Sequence, residues 1–238
     1  MRLVFQRAGL NVLCLALLIP AVSINANAQK KSRMQDAARH SREAAEVFTE
    51  IMNIREKSIP KELLDKAEAI AVFPGVIRAA FVFGGRGGQG VISRRIRGGW
   101  SAPAFFNLSG GSFGAQIGAT KTDYLFLIMN DDGVNGLLKD KFEMGGEVGV
   151  AAGPLGREAA ASTDAMLQAG ILSYSRQKGA FIGAALKGAA ITPDNDLNEA
   201  VYGKKASQLL TERAQLKLAE MPAGVRIFPR TLARYSIK

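Results

Sequence analysis

Glycine pairs divide the middle of the chain, residues 59–203, into short apolar runs. Residues 83–90 read FGGRGGQG, residues 98–103 read GGWSAP and residues 108–114 read LSGGSFG. Glycine at this density breaks helices and strands unless it marks turns, bulges or close backbone approaches. The runs between the glycines are typical of β-strands and contain almost none of the usual catalytic side chains. The pattern therefore predicts a compact, β-rich binding module rather than an enzyme.

A secretory signal peptide is predicted at the start of the chain. Two arginines precede an apolar run at about residues 10–22, and an A-x-A sequence at residues 26–28 follows. A membrane anchor is the alternative, but a span needs about 20 apolar residues, and asparagines bound this run too tightly. We expect cleavage between Ala28 and Gln29 and export to the periplasm or the medium. Peripheral association with a membrane is compatible with either location.

The single cysteine, Cys14, lies within that apolar run. A lipoprotein signal would have small residues immediately before the cysteine, whereas Val12 and Leu13 occupy those positions. Cleavage after Ala28 would leave a protein without a thiol. Disulfides, thiolate catalysis and cysteine metal sites are therefore not expected in the mature protein.

The chain is basic, with 31 lysines and arginines against 21 aspartates and glutamates and a net charge of +10. Removal of residues 1–28 takes away two arginines and no acidic residue, which leaves +8. Such an excess favours anionic surfaces such as phospholipid headgroups, nucleic acid or acidic polymers. An exported protein seldom meets nucleic acid, so the membrane surface is the better candidate, with ordinary solubility charge as the alternative.

Apolar residues at three- and four-residue steps predict an amphipathic helix over residues 32–54. Basic residues lie at its start and Glu46 and Glu50 near its end, the reverse of what the helix dipole prefers. We expect Phe48 and Ile51 to pack on the core. The basic start is either a frayed end or a place where an anionic partner binds. A short second helix is predicted at residues 58–67, with Ser58 as its N-cap.

Nine strands are predicted in the block that follows. They are placed at residues 69–73, 79–83, 90–95, 104–108, 114–119, 123–129, 143–151, 171–177 and 180–188. A hairpin connection is expected at residues 175–179, and short helices at about residues 131–137, 192–202 and 207–220.

These elements predict an α+β fold, which is a single compact, glycine-rich β domain with an N-terminal amphipathic helix and short peripheral helices. The predicted boundaries are residues 1–28 for the signal peptide, 29–57 for a helical arm, 58–220 for the domain and 221–238 for a C-terminal tail.

Motifs for cofactors and metals fail on inspection. Residues 85–90 match G-x-G-x-x-G, but a dinucleotide site requires a helix after the glycines, and the sequence VIS that follows is typical of a strand. Residues 194–198 begin like an EF-hand loop, yet Glu199 replaces the required glycine, so helix capping explains them better. His40, the only histidine, is placed on the charged side of the first helix, and Trp100 is interpreted as a structural plug. We expect no cofactor and no metal.

Ordered motifs along most of the chain resemble those of the SYLF-domain family. They lie at residues 59–60 (IP), 67–73 (AEAIAVF), 84–91 (GGRGGQGV), 100–103 (WSAP), 114–118 (GAQIG), 122–123 (TD), 151–157 (AAGPLGR), 173–181 (SYSRQKGAF) and 202–203 (YG). The predicted helix ending at Glu50 is also similar to the family's leading helix.

The resemblance implies a function for the chain. Eukaryotic relatives join this domain to a Src-homology-3 domain and work at endocytic actin patches, where the domain binds phosphoinositides and, in fungi, actin. Bacterial members are mostly exported single-domain proteins. We expect this chain to bind an anionic phospholipid membrane surface at the cell envelope. The alternative is an envelope structural or assembly protein that binds another protein, and we expect neither actin nor nucleic acid as its natural partner.

The resemblance also implies where lipid would bind. The basic leading helix of the family corresponds here to Lys30, Lys31, Arg33, Arg39 and Arg42, although three glutamates dilute its charge. The glycine block adds Arg86, Arg94 and Arg95, beside glycines that let a headgroup approach. Arg157 and Arg176 lie within family motifs, and a structural role is preferred for Arg157 and for Asp123, because buried ionic groups need partners.

Overall fold

The helices and strands of a computed structural model form one α+β arrangement. It describes residues 19–54, 58–80, 83–113, 118–146, 148–156, 169–184, 186, 188–211 and 216–236. The helices are α1 (Ile19–Met52), α2 (Lys61–Lys66), α3 (Asp131–Leu137), α4 (Asn195–Tyr202), α5 (Ala206–Leu209) and α6 (Ile227–Tyr235), with a 3-10 turn at Ala223–Val225. The strands are β1 (Ala69–Ala80), β2 (Phe83–Ile96), β3 (Gly99–Trp100), β4 (Ala104–Phe113), β5 (Gly118–Ile128), β6 (Phe142–Glu143), β7 (Val150–Ala152), β8 (Ile171–Gln177), β9 (Ala180–Gly183) and β10 (Ala189–Pro193).

The strands form a single curled sheet in the order β6-β10-β4-β2-β1-β5-β8-β7, with β3 beside β2 and β9 beside β8. All pairs of strands are antiparallel except β7 and β8. β1, β2, β4 and β5 form the long central part. The predicted α+β fold with an N-terminal helix and short peripheral helices is confirmed.

The core lies between α1 and the central strands. Phe48 and Ile51 on α1 are buried, as predicted, and Phe73 on β1 packs 5.8 Å from Phe126 on β5 between ring centroids. α4 is fixed to β4 by the buried Asn198, whose amide oxygen and nitrogen bond the backbone N–H and C=O of Phe105 at 2.8 and 3.0 Å. Such paired bonds satisfy buried polar groups that would otherwise destabilise the core.

The glycine block behaves differently from its prediction. β2 runs unbroken through residues 83–96, so the glycines of FGGRGGQG lie inside a strand. Of the strand predicted at 79–83, residues 79–80 form the end of β1 and Phe83 begins β2, and residues 81–82 lie outside the described residues. The strand predicted after Gly90 is confirmed, because β2 continues to Ile96, where a dinucleotide motif would require a helix.

Other boundaries also differ. The strand predicted at 143–151 is reduced to β6 and β7, with Gly145 in a positive-φ turn between them. The strand predicted at 180–188 ends at Gly183, and β10 was not predicted. Residues 114–117 of another predicted strand lie outside the described residues. These errors arise because strand ends depend on which neighbour offers hydrogen bonds, not on local sequence alone.

The helix ends show which capping signals were informative. Asp194 caps α4 as expected, since its carboxylate accepts a hydrogen bond from the N–H of Leu197 at 3.0 Å. Ser58 is not the N-cap of α2, which begins at Lys61 after Pro60. Of the helix predicted at 207–220, α5 ends at Leu209 and residues 212–215 are not described.

The C-terminal segment assigned to a tail is partly helical. α6 spans Ile227–Tyr235 and tolerates Pro229 because that residue lies in its first turn. The ring of Tyr235 packs edge-on against Phe48, with 5.7 Å between centroids, and so joins α6 to α1.

Candidate functional site

The start of α1 carries the first group of predicted lipid-contact residues. Lys30 and Lys31 are exposed and Arg33 is partly exposed, whereas burial by the core begins at Ala37. Among the described residues, no acidic side chain forms an ion pair with these three cations. Their charged groups are therefore accessible to an external anion.

The two later arginines on α1 differ from each other. Arg39 donates a hydrogen bond to Asp36 at 3.3 Å and lies 3.5 Å from Glu43. These exposed pairs contribute only a few tenths of a kcal/mol, but they partly neutralise Arg39. Arg42 is exposed and lies eleven residues after Lys31, which places both on one face of the helix.

A groove of about 570 Å³ separates the later part of α1 from β1, β2 and β5. Its charged lining mixes three basic with four acidic side chains, which are Arg39, Lys121, Arg176, Glu43, Glu46, Glu50 and Asp123. Because the two signs are interspersed, the groove does not focus a field of one sign. An anionic surface is therefore better matched by the start of α1 than by this groove.

Arg176 lines the groove and links α1 to the sheet. Its guanidinium bonds the carboxylates of Glu50 on α1 and Asp123 on β5. Burial lowers the pKa of Arg176, but the hydrogen bonds to Glu50 and Asp123 outweigh it and the pKa is raised. The structural role preferred for Asp123 fits this contact. Arg157, the other arginine considered, lies outside the described residues.

His40 lies on the core side of α1, and its placement on the charged side was wrong. The side chain is 4% exposed and its ring centroid lies 6.5 Å from that of Phe105. Burial, and secondarily the charge of Arg39, lowers the pKa of this imidazole. His40 lies at the boundary between the apolar face of α1 and the groove, so the spacing of apolar residues alone did not determine which face of the helix carries it.

Arg86 lies on β2 near its start, whereas Arg94 and Arg95 lie near its end. It faces Arg78 across β1 and β2, and its Nε atom is buried without a hydrogen-bond partner. Arg78 was not predicted, because only the strand register places it opposite Arg86. Eight residues of strand, about 26 Å, separate Arg86 from Arg94, so the predicted basic residues do not form one compact site.

Arg94 and Arg95 make structural contacts. Arg94 donates to the carbonyl of Leu210 at 3.2 Å and lies 3.7 Å from Asp131. Arg95 donates to the carbonyls of Leu64 and Ala67 at 2.5 and 2.9 Å, at the C-terminal end of α2. Burial lowers the pKa of Arg95. Their proposed role in lipid contact stays a prediction.

The described residues contain no group of three or more histidine, cysteine, aspartate or glutamate side chains that could hold a metal ion. In this part of the chain, no helix is both long and apolar enough to cross a bilayer.

A protein family matches the second half of the chain. The family model "Ysc84: Las17-binding protein actin regulator" matches residues 109–235. The chain belongs to the Ysc84 (SYLF-domain) family. The resemblance found in the sequence motifs is thereby confirmed. The family is a binding and regulatory one rather than a family of enzymes.

Curated relatives support the Ysc84 assignment. The chain is 38% identical over 149 residues to LAS seventeen-binding protein 3 of Saccharomyces cerevisiae, covering 61% of this chain and 32% of the yeast protein. It is 34% identical to Protein YSC84 of the same organism, covering 67% and 35%. With human SH3 domain-containing YSC84-like protein 1 it shares 31% over 174 residues, covering 72% and 50%. The chain thus spans a third to a half of these relatives.

The Ysc84 family match does not reach the predicted lipid-contact residues. All eight precede residue 109, whereas the matched segment includes both Asp123 and Arg176. The match therefore supports the family assignment but not the predicted lipid contacts. The role predicted for the basic residues on α1 depends on their exposure and charge.

Proposed function

We propose that this Ysc84-family protein is exported and binds anionic phospholipid at the cell envelope through the basic start of α1. The observation that carries the proposal is the contrast within α1. Its residues from Ala37 to Ile51 supply the buried face, whereas Lys30, Lys31 and Arg33 extend beyond the core without described acidic partners. The core holds the later part of α1, and the start of the helix presents three cations.

Electrostatics favours this placement. Each basic side chain near an anionic surface contributes on the order of 1 kcal/mol, and the attraction decays within a Debye length. Cleavage after Ala28 would make residues 29–33 the first turn of α1. The amide N–H groups and positive dipole end of that turn would add to the attraction, as would the new α-amino group.

A vesicle co-sedimentation series tests the proposal. Protein beginning at Gln29 should bind phosphatidylglycerol vesicles and not phosphatidylcholine vesicles, and added salt should weaken binding. Replacing Lys30, Lys31 and Arg33 with glutamine should reduce affinity by roughly ten- to a hundredfold at low salt. The fold should be unchanged, because these side chains are outside the core.

A variant matched in charge distinguishes binding through the start of α1 from binding through the overall charge of the protein. Lys61, Lys66 and Lys178 are exposed and lie outside α1, and their replacement with glutamine removes the same total charge. This control should bind within about twofold of the unmodified protein. If the two triple variants lose affinity equally, binding follows overall charge and the α1 site is wrong. If the unmodified protein does not bind anionic vesicles at low salt, the proposed lipid-binding function is wrong.

Export is a separate part of the proposal and has its own test. It is supported by the arginines, apolar run and A-x-A sequence of residues 1–28. N-terminal sequencing of protein recovered from the cell envelope should begin at Gln29. Recovery of intact Met1 from the cytosol would contradict it.

Binding to another envelope protein is the second candidate function. The yeast relative is named for binding LAS seventeen, which favours a protein partner in the family. Two isoleucines, Ile77 and Ile182, are 58% and 55% exposed and could serve such a contact. Cross-linking in intact cells that captures one reproducible protein, lost on replacing both isoleucines with serine, would favour this function.

A further inference from the structure

A second concavity, of about 310 Å³, lies between the β2–β3 turn and α6. Trp100 forms part of its lining and is only 6% exposed. The other apolar lining residues come from three separate segments of the chain. These residues are Ile96, Leu216, Leu218, Pro229 and Ala233. Leu218 is 38% exposed at this site. The size and lining are those of a small-ligand pocket.

The charges around this pocket have one sign. Arg97, Lys217 and Arg230 line it, and none of its described lining residues is acidic. Glu220 is near in sequence, but it is not among the lining residues, and its carboxylate accepts a hydrogen bond from the backbone N–H of Lys217 at 3.0 Å. The pocket therefore combines apolar walls with a cationic rim, in contrast to the mixed charges of the α1 groove.

The surrounding structure holds the pocket in shape. The indole N–H of Trp100 donates to the hydroxyl of Ser236 at 3.0 Å, and the guanidinium carbon of Arg95 lies 4.4 Å from the Trp100 ring centroid. Arg226 donates to the carbonyls of Met221 and Ala219 at 2.7 and 2.9 Å, which fixes the turn before α6. A ligand would meet preformed walls, which lowers the entropic cost of binding.

The β2–β3 turn leaves its backbone open to a ligand. Gly98 and Gly99 have φ values of +85° and +148°, and a Cβ atom on either would meet nothing within 4 Å. Both glycines line the pocket. Their missing side chains let a polar head approach the backbone between Arg97 and Trp100.

We propose that this pocket binds a monoacyl anionic amphiphile, with the acyl chain against Trp100 and α6 and the anionic head among Arg97, Lys217 and Arg230. Charge complementarity selects an anion, and the apolar walls select a chain. The volume of about 310 Å³ is that of a pocket for one small ligand. This site is distinct from the start of α1 and does not depend on the function proposed there.

Tryptophan fluorescence tests the proposal directly, because Trp100 is the only tryptophan of the chain. The probe is lauroyl lysophosphatidylglycerol, kept below its critical micelle concentration. It should change the fluorescence in a saturable way. Lauroyl lysophosphatidylcholine, which has the same chain and no net charge, should bind at least tenfold more weakly. Glycerol phosphate, which has an anionic head and no chain, should not bind in the same concentration range.

Variants assign the site. Replacing Arg97 and Arg230 with glutamine should weaken binding of the lysophosphatidylglycerol at least tenfold, and Leu218→Ser should weaken it independently. Arg234→Gln is a control for loss of a surface charge near the pocket, because Arg234 is exposed on α6 and does not line the pocket. It should bind within twofold of the unmodified protein. The α1 triple variant should also bind the monomeric probe normally, which separates this site from the vesicle-binding site.

Three outcomes would overturn the proposal. The first is equal binding of the anionic and zwitterionic lipids. The second is unchanged binding by both the Arg97/Arg230 double variant and Leu218→Ser. The third is tighter binding of a short apolar peptide with a free C-terminal carboxylate, which would assign the pocket to peptide ends instead.

Discussion

Asp123 on β5 and Arg176 on β8 are cross-strand partners joined by two hydrogen bonds. The Nε and Nη2 atoms of Arg176 donate to Oδ2 of Asp123 at 3.0 and 2.8 Å. The Oδ1 atom accepts from the backbone N–H of Gly75 at 2.7 Å, within the irregularity of β1 between Phe73 and Val76. One carboxylate therefore fixes the shape of β1 and the position of the arginine that holds Glu50 on α1.

Loss of the Asp123 carboxylate should destabilise the fold. Asp123→Ala would leave Arg176 partly buried with only the exposed Glu50 as partner, and would remove the acceptor for Gly75. We expect a loss of about 2 kcal/mol in the free energy of unfolding, measured by urea denaturation. Glu50→Gln should cost less than about 1 kcal/mol, because the Glu50 side chain is 60% exposed. Equal losses for the two variants would contradict this assignment.

The glycines inside β2 should differ in their tolerance of alanine. A Cβ atom on Gly90 would lie 2.4 Å from the carbonyl oxygen of Val72 and 2.5 Å from Cδ1 of Phe73, whereas one on Gly87 would meet nothing within 4 Å. Gly90→Ala should destabilise the protein by about 3 kcal/mol, since overpacking displaces buried groups. Gly87→Ala should be neutral or stabilising by about 0.5 kcal/mol. Thermal unfolding of both variants measures which one is less stable. A Gly90→Ala variant as stable as the unmodified protein would contradict the prediction.

His40 should make stability depend on pH in a defined direction. Its folded-state pKa lies below the usual 6.5, chiefly because of burial. Between those two values the unfolded chain binds more protons, so stability decreases as pH falls below about 6.5 and is restored above it. The single histidine gives one NMR titration, whose midpoint should lie below 6.5. His40→Gln should show a smaller stability loss between about pH 7.5 and pH 5.5, and an identical loss would contradict the role of His40.

Arg95 should contribute to stability through α2 and Trp100. Arg95→Gln removes hydrogen bonds to the carbonyls of Leu64 and Ala67, and we expect a loss of about 2 kcal/mol in chemical denaturation. The folded variant should bind anionic vesicles within about twofold of the unmodified protein. Reduced vesicle binding with unchanged stability would instead support the lipid-contact role predicted for this residue.

Local sequence was sufficient wherever one segment contains both partners of an interaction. The capping role of Asp194, the β8–β9 hairpin and the strand that follows the G-x-G-x-x-G sequence depend on neighbours a few residues away. The apolar stripe of α1 predicted the burial of Phe48, but its partner Tyr235 lies far away in the chain. The ordered motifs also established the family. The helical nature of α6 was missed when residues 221–238 were assigned to a tail, although Pro229 is compatible with a first helical turn.

Only the tertiary structure decided what the charged residues do. Arg33 and Arg95 both carry a guanidinium group. Arg33 lies on the part of α1 that extends beyond the core, whereas Arg95 donates a hydrogen bond to a carbonyl at the end of α2 and stacks on Trp100. The cationic pocket likewise joins residues 96–100 to residues 216–233, which no local pattern connects. The sequence by itself determined the family, the strand-forming runs and the basic character. Partner choice for each charge depended on packing between segments far apart in the chain, because electrostatic contacts are set by distance and burial in space.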